Sequence, residues 1–146
     1  MNTGTTDPAS ADYERINKLK ERINDSPYYH QVKMELIELK ENGCSMAMEV
    51  GPDHLNIYGI AHGGAIASLA DSTCGLSLIP SLDEDEFAVT QTCIVNYFRP
   101  AQMGRLSSKG WVVFRGKTSA VMEGDIFNES GDLVAHAQTT HAIRKR

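Results

Sequence analysis

The stretch from Gly63 to about Leu78 constrains the fold of this chain most, because no second run of its kind follows it. It is rich in Ala, Ile, Leu and Ser, and its apolar residues recur at helical spacing: Ile66, Leu69, Ala70 and Thr73. Four strand-like segments come after it, at 87–98, 106–115, 118–127 and 133–143. A doubly wound parallel sheet needs a helix between most strands, so that architecture is excluded. The order predicts an α+β fold with an antiparallel sheet packed on one central helix.

The part of the chain before this stretch supplies a short helix and a hairpin. Apolar residues recur at helical spacing between positions 11 and 24, which predicts an amphipathic helix that ends before Pro27. Segments 32–39 and 44–50 are strand-like, and Glu41-Asn42-Gly43 between them is a hairpin signal. Residues 1–10 are polar and predict a disordered tail, so that 11–146 form a single domain.

Composition excludes several classes of protein. The chain has 146 residues and a net charge of −5, which argues against a nucleic-acid-binding domain. No apolar run approaches the roughly 20 residues of a membrane span, and the polar N-terminus lacks a signal-peptide core. The three cysteines are odd in number and form no CxxC pair, which indicates neither a disulfide framework nor a zinc site. We therefore expect a cytoplasmic protein that binds no metal, no nucleic acid and no membrane.

The segment NIYGIAHGGAIASLAD, from Asn56 to Asp71, gathers the candidate catalytic groups. A helix that begins near Gly63 presents unpaired N–H groups and a positive dipole end, which stabilise negative charge on a carbonyl oxygen. The bare backbone of Gly63 and Gly64 lets a ligand approach, with both N–H groups free to donate. Asn56 can add a neutral side-chain donor, and Asp71 can activate water or attack a carbonyl directly.

The spacing within this segment predicts a dimer. Gly63 and Asp71 are separated by about 12 Å along a helix, at a rise of 1.5 Å per residue. Both groups must lie within hydrogen-bond reach of one carbonyl, which a single helix does not easily allow. Two antiparallel helices across a twofold axis would place the start of one beside Asp71 of the other, giving two shared sites.

Each of these residues also has a purely structural interpretation. The glycine pair can serve tight packing or end a loop, and a lone histidine such as His62 is more often structural than catalytic. Asp71 could face solvent on a helix, and Asn56 could shape a turn. The functional interpretation depends on the shared spacing of all four elements.

The same residues, together with two later motifs, give the chain a resemblance to a known family. The motifs are Asn56, His62-Gly63-Gly64 and Asp71, then Asn96-Tyr97-Phe98-Arg99-Pro100-Ala101 with Gly104, and finally Gly116-Lys117-Thr118. From about Leu36 to Ile143 the chain resembles the hotdog-fold acyl-CoA thioesterases of the phenylacetate-pathway (PaaI) type. The resemblance implies a hotdog fold, in which a curved antiparallel sheet wraps around one long central helix. It also implies assembly into homodimers and commonly homotetramers.

The resemblance further implies roles for the residues of the first motif. Asn56 and the Gly63 N–H would polarise the thioester carbonyl, and Gly64 would contact the substrate. Asp71 of the partner subunit would act as general base or as nucleophile. His62 would hold the loop or the Asn56 side chain.

Residues outside the first motif complete the implied site. Thr90 would position the water, with Thr92 as a second candidate because both are expected to point to the same face of a strand. The coenzyme A phosphates would meet three basic side chains, for each of which an ordinary surface charge is the alternative: Arg99, Arg115 and Lys117. Two histidines on the last strand are expected to be structural: His136 and His141.

These inferences predict an acyl-CoA thioesterase that hydrolyses an acyl-CoA thioester to a free carboxylic acid and coenzyme A, without a cofactor. Two alternatives stay open, a hotdog enoyl-CoA hydratase or dehydratase and a non-catalytic acyl-CoA-binding domain. The pairing of Asn56 with Asp71 favours hydrolysis over hydration. The sequence leaves open the kind of acyl group, the choice between base and nucleophile for Asp71, and the choice between dimer and tetramer.

Overall fold

The computed structural model describes residues 8–146, with side chains from Asp12 onward. The helices are α1 (Pro8–Asn24), α2 (Pro27–Val32) and α3 (Gly63–Leu78). The strands are β1 (Met34–Lys40), β2 (Gly43–Val50), β3 (Glu86–Tyr97), β4 (Gly104–Arg115), β5 (Ser119–Phe127) and β6 (Leu133–Lys145). Short 3₁₀ turns, Pro52–His54 and Ile79–Ser81, lie before and after α3 in the chain. No helix among residues 8–146 is long and apolar enough to cross a membrane.

One sheet of six antiparallel strands, in the order β1-β2-β4-β5-β6-β3, forms the body of the molecule. Helix α3 packs against this sheet and buries one side of itself, including the predicted core positions Ile66, Leu69, Ala70 and Thr73. The predicted α+β fold, an antiparallel sheet on one central helix, is confirmed. The bounds predicted for the central helix match those of α3.

Glycines of the sheet allow α3 to approach closely. A Cβ atom at Gly110 on β4 would lie 2.7 Å from the Ser77 Oγ and 2.8 Å from the Thr73 carbonyl oxygen. The hydroxyls buried at this contact are paired, since Thr73 Oγ1 lies 2.6 Å from Ser108 Oγ and Ser77 Oγ donates to the Thr73 carbonyl at 2.8 Å. Because only a glycine fits, the position of α3 over the sheet is fixed at this point.

The N-terminal region differs from its prediction in detail. Helix α1 begins at Pro8, three residues before the predicted start, and residues 1–7 of the predicted disordered tail lie outside the described part of the chain. Helix α2 was not predicted, because six residues are too few to show a helical period. Lys33, at φ 54°, ends α2 in the left-handed conformation, so that β1 begins at Met34 rather than at Val32.

The two edges of the sheet are treated differently. Along β1, the Asn24 side chain of α1 accepts from the Leu36 N–H at 2.7 Å and donates to its carbonyl at 3.1 Å, so that α1 covers this edge. The edge of β3 has no neighbouring strand among the described residues. It carries apolar side chains that are partly open to solvent, with exposures of 37% for Phe87, 50% for Val89, 59% for Ile94 and 48% for Tyr97. A long apolar edge of this kind is a surface for pairing with another chain.

Candidate active site

The loop before α3 holds Asn56 in a fixed orientation. Its side-chain oxygen Oδ1 accepts from the Tyr58 N–H at 2.9 Å and from the Ile60 N–H at 3.4 Å. Both partners are donors, so the oxygen rather than the nitrogen must face them. The Nδ2 group of Asn56 makes no hydrogen bond within residues 8–146 and is therefore available as the neutral donor that the sequence predicted.

His62 is the N-cap of α3. Its Nδ1 accepts a hydrogen bond from the Gly64 N–H at 2.8 Å, and its backbone N–H donates to the His54 carbonyl at 2.7 Å. The prediction that both glycine N–H groups are free is therefore wrong for Gly64, because the cap occupies its donor. The Gly63 N–H has no acceptor in the described part of the chain, and it remains the donor for a ligand. His62 contacts the helix start and not the Asn56 side chain.

Tyr97, at the end of β3, anchors the start of α3 to the sheet. Its hydroxyl donates to the Gly63 carbonyl at 2.7 Å, and a Cβ atom at Gly63 would lie 3.5 Å from its ring. The sequence interpretation assigned no role to Tyr97, although it stands in the same motif as Arg99. This contact fixes the helix terminus on which the free N–H depends.

Asp71 lies in the middle of α3 with its side chain 41% exposed. Thr90 Oγ1 on β3 donates a hydrogen bond to Asp71 Oδ1 at 2.9 Å. The structure thus brings together the predicted acid and the predicted hydroxyl. In this arrangement the hydroxyl orients the carboxylate, and the second carboxylate oxygen is left to face a substrate or a water molecule.

A β-bulge in β3 decides which threonine reaches Asp71. Thr90 pairs with His141 of β6 and Thr92 pairs with Thr140, so that Gln91 is an extra residue on β3. Because His141 and Thr140 point to opposite faces of β6, Thr90 faces α3 and Thr92 faces away from it. The prediction that the two threonines share a face is wrong for this reason.

His141 completes the group around Asp71, and the sequence interpretation missed it. Its Nε2 lies 3.4 Å from Thr90 Oγ1 and 3.8 Å from Asp71 Oδ1. The ring is buried beneath α3 at Gly75, where a Cβ atom would lie 2.9 Å from the ring carbon Cε1. Burial lowers the pKa of His141, and the nearby Asp71 charge offsets this only in part. The sequence contains one sign of this close contact, because Gly75 is a glycine inside a helix, one turn after Asp71.

The other titratable groups near Asp71 are neutral at pH 7. Burial, with a smaller contribution from the Asp71 charge, raises the pKa of the Cys93 thiol. Burial raises the pKa of Cys74 to about 12. Burial also raises the pKa of the Tyr29 phenol on α2, although a hydrogen bond with Ser72 acts in the opposite direction. The carboxylate of Asp71 therefore carries the charge of this cluster.

The three predicted phosphate-binding residues have different surroundings. Arg115 pairs with Glu86 at 2.6 Å, where the glutamate side chain is only 7% exposed, and it also donates to the Gly116 carbonyl at 2.7 Å. A phosphate at Arg115 would therefore have to compete with this ion pair, in which the Glu86 carboxylate is buried. Arg99 makes only a long, exposed ion pair with Asp132 at 3.5 Å. Lys117 is exposed and makes no hydrogen bond or ion pair within the described residues.

A single chain keeps the donor group and the acid apart. Gly63 contacts Tyr97 at the end of β3, whereas Asp71 contacts Thr90 nearer to its start. Along α3 the two lie about 12 Å apart.

A cavity of about 480 Å³ beside β1 and β2, lined by Tyr29, Lys33 and Arg105 among others, is separate from both groups. Among residues 12–146 no three His, Cys, Asp or Glu side chains are arranged to hold a metal ion.

Known proteins share both the sequence and the fold. The family described as the thioesterase superfamily matches residues 58–135, more than half of the chain. Human acyl-coenzyme A thioesterase 13 is 27% identical over 110 residues, or 74% of this chain and 78% of that protein. The phenylacetic acid degradation protein PaaI of Thermus thermophilus aligns with a TM-score of 0.74 at 30% identity, over 80% of this chain and 98% of that one. A thioesterase of Haemophilus influenzae has the same fold, with a TM-score of 0.81 at 20% identity over 89% and 90% of the two chains. The chain therefore belongs to the thioesterase superfamily and has its hotdog fold.

Proposed function

We propose that this protein is an acyl-CoA thioesterase, which hydrolyses an acyl-CoA thioester to a free carboxylic acid and coenzyme A. The observation that carries the proposal is the Asp71 carboxylate, which is partly exposed and is oriented by Thr90. Asp71 lies on α3, the helix whose first residue, Gly63, has a free N–H. The human relative is named as an acyl-coenzyme A thioesterase, which supports this class of substrate.

In the proposed reaction, the thioester carbonyl oxygen accepts hydrogen bonds from the Gly63 N–H and from Asn56 Nδ2. These donors stabilise the negative charge that develops when the carbonyl carbon is attacked. Asp71 removes a proton from the attacking water, or it attacks the carbon itself to form an anhydride that water then cleaves. In both routes the C–S bond breaks, the coenzyme A thiolate leaves and is protonated, and the acid is released.

The proposed site is shared between two subunits. The open β3 edge supports this arrangement, because two such edges can pair across a twofold axis and bring two copies of α3 side by side and antiparallel. Each site then combines Asn56 and Gly63 of one subunit with Asp71 and Thr90 of the other. Light scattering distinguishes this dimer from a tetramer formed by two dimers.

Two basic residues are proposed to contact the coenzyme A phosphates. Lys117 has an unoccupied ammonium group, and the long, exposed Arg99–Asp132 pair contributes little and can be exchanged for a phosphate. Arg115 is left out, because removing it from Glu86 would leave a buried carboxylate without its partner.

The proposed compartment is the cytoplasm, since Cys44, Cys74 and Cys93 are all free thiols.

Replacement of the acid tests the function. A thiol-release assay across acyl-CoAs of different chain length and ring content identifies a substrate for the wild-type protein. We expect Asp71→Asn to lower kcat by about 100-fold or more, a typical scale for loss of acid–base catalysis. The matched control Glu84→Gln, an exposed acid-to-amide change in the turn before β3, should leave the rate unchanged.

Three outcomes would contradict this proposal. Full turnover in Asp71→Asn would remove Asp71 from the mechanism. A wild-type protein that consumes enoyl-CoA without releasing thiol would be a hydratase. A wild-type protein that binds acyl-CoA tightly and releases no thiol from any member of the panel would be a binding module.

Mixing two inactive variants tests the shared site. In a heterodimer of Asn56→Ala with Asp71→Asn, one site carries both changes and the other is intact. With free subunit exchange at equal amounts, the mixture should recover about a quarter of wild-type activity, because half of the dimers are mixed and each has one intact site. If labelled subunits exchange and activity does not return, each chain must hold a complete site by itself.

A further inference from the structure

His141, Thr90 and Asp71 form a chain of polar groups in which the direction of each hydrogen bond can be assigned. An ionised carboxylate only accepts, so Thr90 gives its single hydroxyl proton to Asp71 Oδ1 at 2.9 Å. Thr90 Oγ1 can then only accept from His141 Nε2, which lies 3.4 Å away. The Nε2 atom of His141 must therefore carry a proton, and a neutral ring leaves Nδ1 without one.

Burial of His141 favours this neutral ring and outweighs the opposing effect of the Asp71 charge on its pKa. Asp71 on α3 and Thr90 on β3 face it, and its register partner on β5 is Ala120, which carries no charge. The His141 side chain is only 5% exposed. Its direct separation from Asp71 Oδ1, 3.8 Å, is too long for a hydrogen bond, so the hydrogen-bonded path from His141 to the acid runs through the threonine hydroxyl.

From this geometry we propose that His141 is a positioning residue for hydrolysis, which acts on Asp71 through Thr90. By occupying a lone pair of Thr90 Oγ1, the His141 N–H turns the threonine proton toward Asp71 Oδ1. The carboxylate is held in one orientation as a result, with Oδ2 directed to the reacting carbonyl or water. This inference rests on the proposed thioesterase function, and it adds a residue on β6 to the site.

Substitutions at position 141 separate the positioning role from packing. His141→Leu fills a similar volume but has no donor, and we expect kcat to fall about tenfold with little change in KM, the scale of one lost hydrogen bond. His141→Gln can place an N–H near the former Nε2, and most of the activity should return.

A double-mutant cycle tests whether His141 acts through Thr90. Thr90→Val and His141→Leu should each lower kcat, and the double variant should be no slower than Thr90→Val alone. The matched control is His136→Leu on the same strand, whose ring contacts Asp125 at 2.7 Å and not Asp71, and it should keep wild-type kinetics. Wild-type kcat in His141→Leu, or effects of the two changes that multiply, would overturn the proposal.

The protonation of the ring provides a test that needs no activity. Proton–nitrogen correlation spectra of the histidine rings at pH 7 should show His141 as the neutral tautomer protonated at Nε2. A tautomer protonated at Nδ1, or an imidazolium, would overturn the proposal even if the enzyme is a thioesterase. Conversely, a wild-type protein that releases no thiol would refute the proposed function while the ring tautomer is still measured.

Discussion

Two histidines that contact α3 act by different means. His62 lies at the surface and uses a ring nitrogen as an acceptor for the Gly64 N–H, which caps the helix and leaves the Gly63 N–H as the free donor. His141 lies beneath the helix in the space left by Gly75, next to Thr90 and Asp71. At the residue scale, the site is determined by which hydrogen-bonding atoms are already occupied.

The lowered pKa of His141 predicts how stability depends on pH. Its pKa in the folded chain is below the ordinary value of 6.5, chiefly because of burial, so the unfolded chain binds this proton more readily. The contribution is fully present above pH 6.5 and is lost as the pH falls through the folded pKa. The drop in Tm between neutral and mildly acidic buffer should be smaller in His141→Gln than in the wild type. If thermal unfolding gives equal drops in Tm for both proteins, the pKa of His141 is the same in the folded and in the unfolded chain.

Helix α3 and strand β3 are the elements that build the candidate site. The helix supplies Gly63 at one end and Asp71 in the middle, and β3 meets both through Tyr97 and Thr90. The bulge at Gln91 turns Thr90 toward the helix, a device that sheets use to redirect a side chain next to a functional site. The helix can hold these contacts only if it lies close to the sheet.

Gly110 tests that close approach. In Gly110→Ala the new Cβ would lie 2.7 Å from Ser77 Oγ and 2.8 Å from the Thr73 carbonyl oxygen, so backbone must move. We expect the free energy of unfolding to fall by about 1–3 kcal/mol, the usual range for an overpacked core. Urea unfolding at a fixed protein concentration measures this. Gly51→Ala is the control, because its Cβ would make only ordinary van der Waals contacts, with the flexible Lys33 Nζ at 3.4 Å and with His54 Nδ1 at 4.0 Å. An equal loss in both variants would contradict the packing argument.

At the scale of the whole molecule, the proposed dimer follows from the separation of Gly63 and Asp71. For Gly63 of one subunit to meet Asp71 of the other, Tyr97 must lie near Thr90 of the partner subunit across paired β3 edges. The twofold axis then passes close to Cys93. Because paired strands lie about 5 Å apart, the two Cys93 side chains come close to each other.

Chemical cross-linking checks this placement of the axis. Cys44 and Cys74 are buried and Cys93 is exposed in the single chain, so a short bismaleimide at mildly alkaline pH should join two subunits through Cys93. The raised pKa of Cys93 makes the alkaline buffer necessary. Cys93→Ser should give no covalent dimer. In the double variant Cys93→Ser/Glu84→Cys, the bismaleimide should react with the new thiol but should not join two subunits. Fully labelled wild-type dimers without a cross-link would place the axis elsewhere.

Sequence patterns alone predicted the order of the six strands around the central helix, the bounds of α3 and the candidate pair of Asn56 and Asp71. These properties depend on local periods of hydrophobicity and on turn residues, which a single sequence displays. Two outcomes were visible only once the chain had folded: Arg115 is held by Glu86, and Thr90 rather than Thr92 faces the acid. Folding also brought His141 to Thr90 from another strand. Each of these outcomes depends on a contact or a strand register between distant parts of the chain. The local periodicity of hydrophobic residues does not reveal such contacts.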